Sequence, residues 1–273
     1  NKTIAFMTEH QHQPFFLYIG MFEPHVPRVA DPPFVGTSGC GVRGDVIEQI
    51  DWETSKIMGA LDRLHLATNT LVLFTSDNGP VFFDGYYDHS KEDAHGHQPA
   101  GGLRGWKYLV FEGGTRVPFI AWWPGHVPAG VSDRMFCLTD VLRTCGALTG
   151  QKLARGAGVD SLNDLPVLLN ADAKPVRTSV VQQGISGAFA LRQGSWKFIP
   201  ANGKARASGM GSGANAKDPR FVEAIIREPL LFNLADDPDE KTNVISQYPE
   251  RARKMAAILR RAGVHAVKDE SDD

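Results

Sequence analysis

The run Leu71-Val72-Leu73-Phe74-Thr75 breaks directly into Ser76-Asp77-Asn78-Gly79-Pro80, and this junction constrains the fold more than any other stretch. A continuous apolar segment of strand length that stops at Asp, Asn, Gly and Pro reads as a buried parallel strand ending in a tight turn. In open α/β sheets ligands bind in the crevice beyond the carboxyl ends of such strands. The neighbouring carboxylate and carboxamide oxygens of Asp77 and Asn78 suit Ca²⁺ or Mg²⁺ better than zinc or copper. The same residues also make an ordinary Asx-turn that bonds only local backbone, so the junction alone leaves both readings open.

Upstream, Gln13-Pro14-Phe15-Phe16-Leu17-Tyr18-Ile19-Gly20 reads as a second buried strand. It runs into Met21-Phe22-Glu23-Pro24-His25-Val26-Pro27, where flanking prolines are expected to hold His25 extended. An imidazole placed just past a strand donates to an anion or moves a proton, or else bonds a nearby carbonyl. From Asp45 onward, Ile47, Ile50, Thr54, Ile57, Leu61 and Leu64 recur three and four apart, one face of a helix. Strand, helix, strand is the order of a βαβ crossover in a parallel sheet covered by helices.

The chain has 273 residues, 42% of them hydrophobic, enough for a large core or a core with a smaller lobe. A net charge of −2 supplies no basic field for nucleic acid or an anionic membrane. No apolar run reaches the roughly 20 residues of a membrane-spanning helix. Cys40, Cys137 and Cys145 show no paired spacing, which argues against a disulfide framework or a zinc site. Asn1 to Met7 carries no signal peptide and reads as the middle of a strand, so the chain is expected to be a fragment.

Residues 79 to 105 form a long polar loop of the kind that carries function. His89, His95 and His97, with Asp88 and Asp93, fit no zinc template in their spacing; a rim offering hydrogen bonds to a sugar or aryl group is the better reading, with His97 as its substrate-binding candidate. Lys107 follows among bulky apolar neighbours, where its ammonium calls for an anionic partner. Gly113-Gly114 then precedes another strand, Val117 to Trp123. Further on, residues 178–183, 187–193, 195–200 and 229–234 read as an antiparallel four-stranded lobe. A helix from Pro249 to Ala262 stops at Gly263. The stretch 201–219 is expected to be flexible and the acidic end disordered.

The series Phe16-Leu17-Tyr18-Ile19-Gly20 with Pro24-His25, then Thr75 to Pro80, then Leu103-Arg104-Gly105-Trp106-Lys107 with Glu112 to Gly125, resembles the type I sulfatase family, arylsulfatase-like enzymes of alkaline-phosphatase-like fold. The likeness extends through Cys137–Leu142, Ala190–Ile199 and Leu230–Asn243. It implies an α/β sulfatase core over 1–170, mostly a parallel sheet flanked by helices with its first strands missing. A small antiparallel subdomain with one helix follows over 171–265, then an acidic tail over 266–273. By the same resemblance Asp77 and Asn78 hold the metal, Ca²⁺ rather than Mg²⁺, while His25 and Lys107 contact the sulfate and assist catalysis. A dication, an ammonium and an imidazole N–H are what a sulfate ester's oxygens require.

One departure limits the likeness. Family members attack sulfur with a formylglycine made from a C/S-x-P-x-R motif, and no cysteine or serine of this chain begins one. The family's N-terminal Asp pair is missing too. The resemblance therefore implies a sulfuric ester hydrolase acting on a sulfated small molecule or carbohydrate, periplasmic or secreted, of which this chain alone is inactive. Two alternatives remain: a phosphodiesterase or phosphonate hydrolase of the same superfamily, and a non-catalytic carbohydrate-binding remnant.

Overall fold

The computed structural model describes residues 1–202, 223 and 225–264. The acidic tail, and the expected flexible stretch beyond Asn202, lie outside them. The chain divides into two units: Asn1–Phe74, Val81–Pro99 and Ile120–His126 form the first, and Thr75–Pro80, Ala100–Phe119 and Val127–Asp273 the second.

In the first unit, the N-terminal residues expected in a strand form helix α1 (Lys2–Glu9). Ile4 and Met7 lie one turn apart and pack with Ala60 and Leu61 of α2 (Gly41–Arg63), and the Phe6 ring meets His10 at 4.2 Å. Such i,i+3 and i,i+4 contacts exist only in a helix. Ile57 and Leu61 of α2, with Leu64 just past its end, face this core, but Ile47 is exposed. The first turns of α2 instead bury Arg43, Asp45, Val46 and Gln49. These turns are built to hold a loop: Asp45 accepts from the N–H groups of Gly36 (2.8 Å) and Ser38 (3.1 Å), and Gln49 Oε1 accepts from Asp31 N at 2.8 Å. Burial pushes the Asp45 pKa up, yet these bonds hold it below the usual carboxylate range.

Strand β1 (Val72–Thr75) pairs with β2 (Phe119–Trp122) in a two-stranded sheet. The expected buried strand at Gln13–Gly20 is a correction: it takes no strand pairing among the described residues. Its alternate residues Phe15 and Leu17 join the core, while Phe16, Tyr18 and Ile19 are exposed. That is the period-2 pattern of a strand with one covered face.

The second unit contains the expected meander, β3 (Ser179–Gln183), β4 (Phe189–Gln193), β5 (Trp196–Ile199) and β6 (Leu230–Asn233), antiparallel in that order. Alternation sends Leu191, Phe198 and Leu231 to one face, against Met255 and Leu259 of α6 (Pro249–Arg261). Ala190, Ile199 and Phe232 face the other way, onto Leu109, Val110 and Phe111. The register also sets Arg192 directly opposite Lys197, and like charges in that position repel. The next section shows what neutralises them.

Around α4 (Val141–Leu148) and α5 (Leu165–Leu169), buried Asp140 receives the Arg177 guanidinium, with Nε at 2.7 Å. Burial raises the Asp140 pKa, but Arg177 and the N–H groups of Leu162 and Cys137 hold it below the ordinary value. Buried Asp164 has no such donors. Its carboxyl oxygens have no hydrogen-bond partner among the described residues, and burial with the neighbouring Asp140 charge pushes its pKa up to about 6.

Candidate active site

The turn beyond β1 is fixed by its backbone. Gly79 N donates to Gly114 O at 2.9 Å, and Lys107 N donates to Pro80 O at 3.0 Å. The turn is therefore held between the Lys107 segment and the short helix α3 (Glu112–Thr115). A Cβ at residue 79 would stand 1.9 Å from Gly113 O, and one at 113 would stand 2.4 Å from Gly105 O. Glycine is required at both positions because backbone meets backbone.

At the front of this clamp Asp77 is exposed, and its carboxylate accepts no hydrogen bond among the described residues. Asn78 spends its Nδ2 on Gly79 O at 3.0 Å and keeps Oδ1 available. Two uncommitted hard oxygens fit half the ligand set of a Ca²⁺ or Mg²⁺ ion, which takes six or more. No third His, Cys, Asp or Glu joins them among the described residues. Lys107 sits half-buried with its Nζ 5.3 Å from the Tyr108 ring. Tyr108 itself has φ of 89°, a conformation costing about 1–3 kcal/mol. It is held there by Ile185 N, which donates to Tyr108 O at 2.9 Å.

Behind the clamp lies a buried ionic cluster. Glu112 of α3 accepts Lys197 Nζ at 3.0 Å and Arg192 Nη1 at 2.8 Å, which resolves the repulsion between those facing cations. Lys197, wholly buried, also lies 3.3 Å from Glu240 Oε1, and Glu112 N donates to Glu240 Oε2 at 2.6 Å. Burial raises the Glu240 pKa, and Lys197 opposes the shift. The C-terminal sheet thus grips the helix that shapes the Asp77–Asn78 turn.

In the first unit, His25 lies in a turn and not in the extended backbone expected, with its N–H donating to Phe22 O at 3.1 Å. The peptide bonds before Pro24 and Pro27 are cis. His25 Nδ1 meets Val26 O at 2.8 Å and Nε2 meets Asp84 Oδ2 at 3.1 Å. Each ring nitrogen thus faces a hydrogen-bond acceptor. The side chain remains 55% exposed. Arg28, buried nearby, donates to five acceptors: the carbonyls of Pro24, Val81 and Phe82, Ser90 Oγ, and Asp88 Oδ2 at 2.6 Å. It fastens the His25 turn to residues 81–90. His97 is exposed in the same unit, its N–H closing a turn onto Ala94 O at 2.8 Å; His95 Nδ1 binds Gly39 O at 2.8 Å, and the His89 ring lies tilted against Tyr87 at 4.4 Å.

The structure therefore brings Asp77 and Asn78 together with the Lys107 segment, and His25 together with Asp84 and Arg28. Sequence reasoning missed Asp84, Arg28 and the Glu112–Lys197–Glu240 cluster. For Lys197 a signal existed, since strand alternation places it on the same face as Ile199.

A family model described as Sulfatase matches residues 1–151. The chain belongs to the sulfatase family. It is 41% identical over 261 residues to an N-acetylgalactosamine-6-O-sulfatase of Bacteroides thetaiotaomicron, covering 95% of this chain and 49% of that protein. To bovine arylsulfatase A it is 34% identical, covering 90% and 48%. A solved sulfatase structure from work on glycosaminoglycan metabolism by B. thetaiotaomicron superposes with TM-score 0.86 at 40% identity, over 96% of this chain and 52% of the other. A Pseudoalteromonas sulfatase structure gives 0.78 at 25%, covering 96% and 50%. The chain thus spans about half the length of the curated relatives it matches, and its fold is the family's alkaline-phosphatase-like one. Membership implies a metal ion and a formylglycine; the free oxygens of Asp77 and Asn78 suit the metal. Among the described residues no helix is long and apolar enough to cross a membrane.

Proposed function

We propose that the protein carrying this chain hydrolyses sulfate esters on a carbohydrate, with Ca²⁺ as its metal. The observation that carries the reading is the clamped turn, which presents two uncommitted oxygens beside the Lys107 segment. Likeness to an N-acetylgalactosamine-6-O-sulfatase favours a sulfated amino sugar. A dication held by Asp77 and Asn78 would offset the negative charge of the sulfuryl oxygens, and formylglycine would supply the attacking oxygen.

The remaining work falls to this chain's own side chains. Lys107 contributes a fixed positive charge toward the sulfuryl oxygens, which gather charge as the S–O bond lengthens. His25, paired with Asp84, is assigned to the oxygen that leaves with the sugar. Hydrolysis then gives an alcohol and sulfate from ester and water. His97, exposed in its turn, is assigned to the sugar rim. The proposed compartment is periplasmic or extracellular, on family resemblance.

The test compares rates on a sulfate ester and the matching phosphate ester with the complete gene product. Faster sulfate cleavage that falls about 10²–10³-fold in Lys107→Ala supports the reading. Faster phosphate cleavage makes the protein a phosphoesterase instead. The 273-residue chain alone, which has no C/S-x-P-x-R segment, is expected to turn over neither.

A further inference from the structure

The turn that joins β3 to β4 reaches out of the C-terminal sheet and touches the segment that carries Lys107, all within the second unit. Gly184 and Ile185 make the contact. Ile185 N donates to Tyr108 O at 2.9 Å, and Gly184 is buried so close by that a Cβ there would stand 2.7 Å from the same oxygen and 3.2 Å from Val110 Cγ1. Gly184 has no positive φ, so its missing side chain serves this approach and not the shape of the turn. Gly187 in the same turn is the reverse case, with φ of 76° and open space where its Cβ would point.

The carbonyl they hold belongs to a strained residue. Tyr108 has φ of 89°, a region that a bulky L side chain leaves when nothing restrains it. On its C-terminal side the chain cannot follow such a relaxation, because Leu109, Val110 and Phe111 are buried in one core with Ala188 and Ala190. On its N-terminal side Lys107 N is tied to Pro80 O at 3.0 Å, and Leu109 N closes a turn onto Trp106 O at 3.0 Å. Relaxation of Tyr108 therefore falls on the peptide between Lys107 and Tyr108 and swings the Lys107 side chain.

Resting on the sulfate-ester reading, we infer that Gly184 and Ile185 are positioning residues for Lys107: they hold the Tyr108 backbone in its strained state and so fix where the ammonium meets the sulfuryl oxygens. Neither touches substrate. A cation that stabilises developing charge must stand in place before the charge develops, and a displacement of about 1 Å, caused far from the chemistry, costs up to about a hundredfold in rate. The C-terminal sheet thereby aims the lysine through one backbone hydrogen bond and one glycine, in addition to gripping α3 through Glu112.

The complete gene product is assayed for kcat and KM on N-acetylgalactosamine 6-sulfate in Ca²⁺ as wild type, Gly184→Ala, Lys107→Ala and the double variant. Gly184→Ala is expected to lower kcat about 10- to 100-fold with KM within about threefold of wild type. In the Lys107→Ala background the same change should cost no more than about twofold, because the ammonium it would misplace is gone. Gly187→Ala strains the same turn but meets no atom; it should melt lower and keep kcat within about twofold. No loss in Gly184→Ala, equal losses in both backgrounds, or a matching loss in Gly187→Ala overturns the inference and leaves a glycine that serves the fold alone. If Gly184→Ala does not fold, Ile185→Pro, which removes the donor to Tyr108 O, takes its place in the cycle with the same outcomes. Wild type that cleaves only the matching phosphate ester overturns the sulfate-ester reading, and the same cycle on that ester still decides whether the turn positions Lys107. Wild type that cleaves neither ester overturns both.

Discussion

Asp77 and Glu112 are two acids on opposite sides of one backbone contact, the approach of Gly79 to Gly113. Glu112 is wholly enclosed, with Lys197 on one oxygen and Arg192 on the other. Asp77 is exposed and accepts nothing among the described residues. Both lie in the same unit, so their difference is not one of general environment. A buried carboxylate that is fully paired holds a shape and has no capacity left for a ligand. An exposed carboxylate on a turn that cannot move costs little in the folded state and keeps its oxygens for a cation.

The contrast should be sharpest in stability. Lys197→Met leaves Glu112 and Glu240 facing each other without their shared cation, and unfolding by denaturant should show a loss of about 3–5 kcal/mol. If instead the loss is under 1 kcal/mol, Glu112 is not the anchor described. Gly79→Ala should cost about 3 kcal/mol or more by the same assay, because the new Cβ meets a carbonyl oxygen at 1.9 Å that has no room to retreat. A fully stable alanine variant would mean that the turn is not clamped.

A smaller effect belongs to the other buried acid. Asp164 has its folded pKa raised to about 6 from an unfolded value near 4. Its contribution is therefore complete at low pH and is lost as pH rises through about 6. Wild type should lose about 1 kcal/mol between pH 5 and pH 7 relative to Asp164→Asn, read from melting curves at both pH values. A difference of opposite sign would place the proton elsewhere. The smallest change is expected at Asp77 itself, where Asp77→Ala should shift metal-free stability by no more than about 0.5 kcal/mol. A large loss there would show that the residue serves the fold and that the front of the clamp resembles its back.

The sequence was most legible where burial follows a period. The meander and α6 appear where strand patterning and helical spacing put them, and β1 and β2 where apolar runs of strand length lie beside turn residues. It was least legible where polar groups are buried. Apolar spacing placed Ile47 in the core of α2, yet that end of the helix buries Arg43, Asp45 and Gln49 to hold and face loops. Glu112 and Lys197 are 85 residues apart, and nothing local to either announces the other. Likewise α1 depends on contacts with α2 that Asn1 to Met7 cannot reveal alone. The Asp77–Asn78 turn was readable because its two oxygens and the turn itself sit in consecutive residues. The His25–Asp84 pair was not, because its second member comes from a loop with no periodic signal.

The central claim is that the Asp77–Asn78 turn holds the cation through which the sulfated sugar is bound. Calorimetric titration of the chain with N-acetylgalactosamine 6-sulfate, in millimolar Ca²⁺ and again in EDTA, measures this most directly. Affinity should fall at least about tenfold in EDTA, and Asp77→Ala in Ca²⁺ should fall to the same level. Binding that survives EDTA and is indifferent to Asp77→Ala would contradict the account and leave a metal-independent carbohydrate-binding protein.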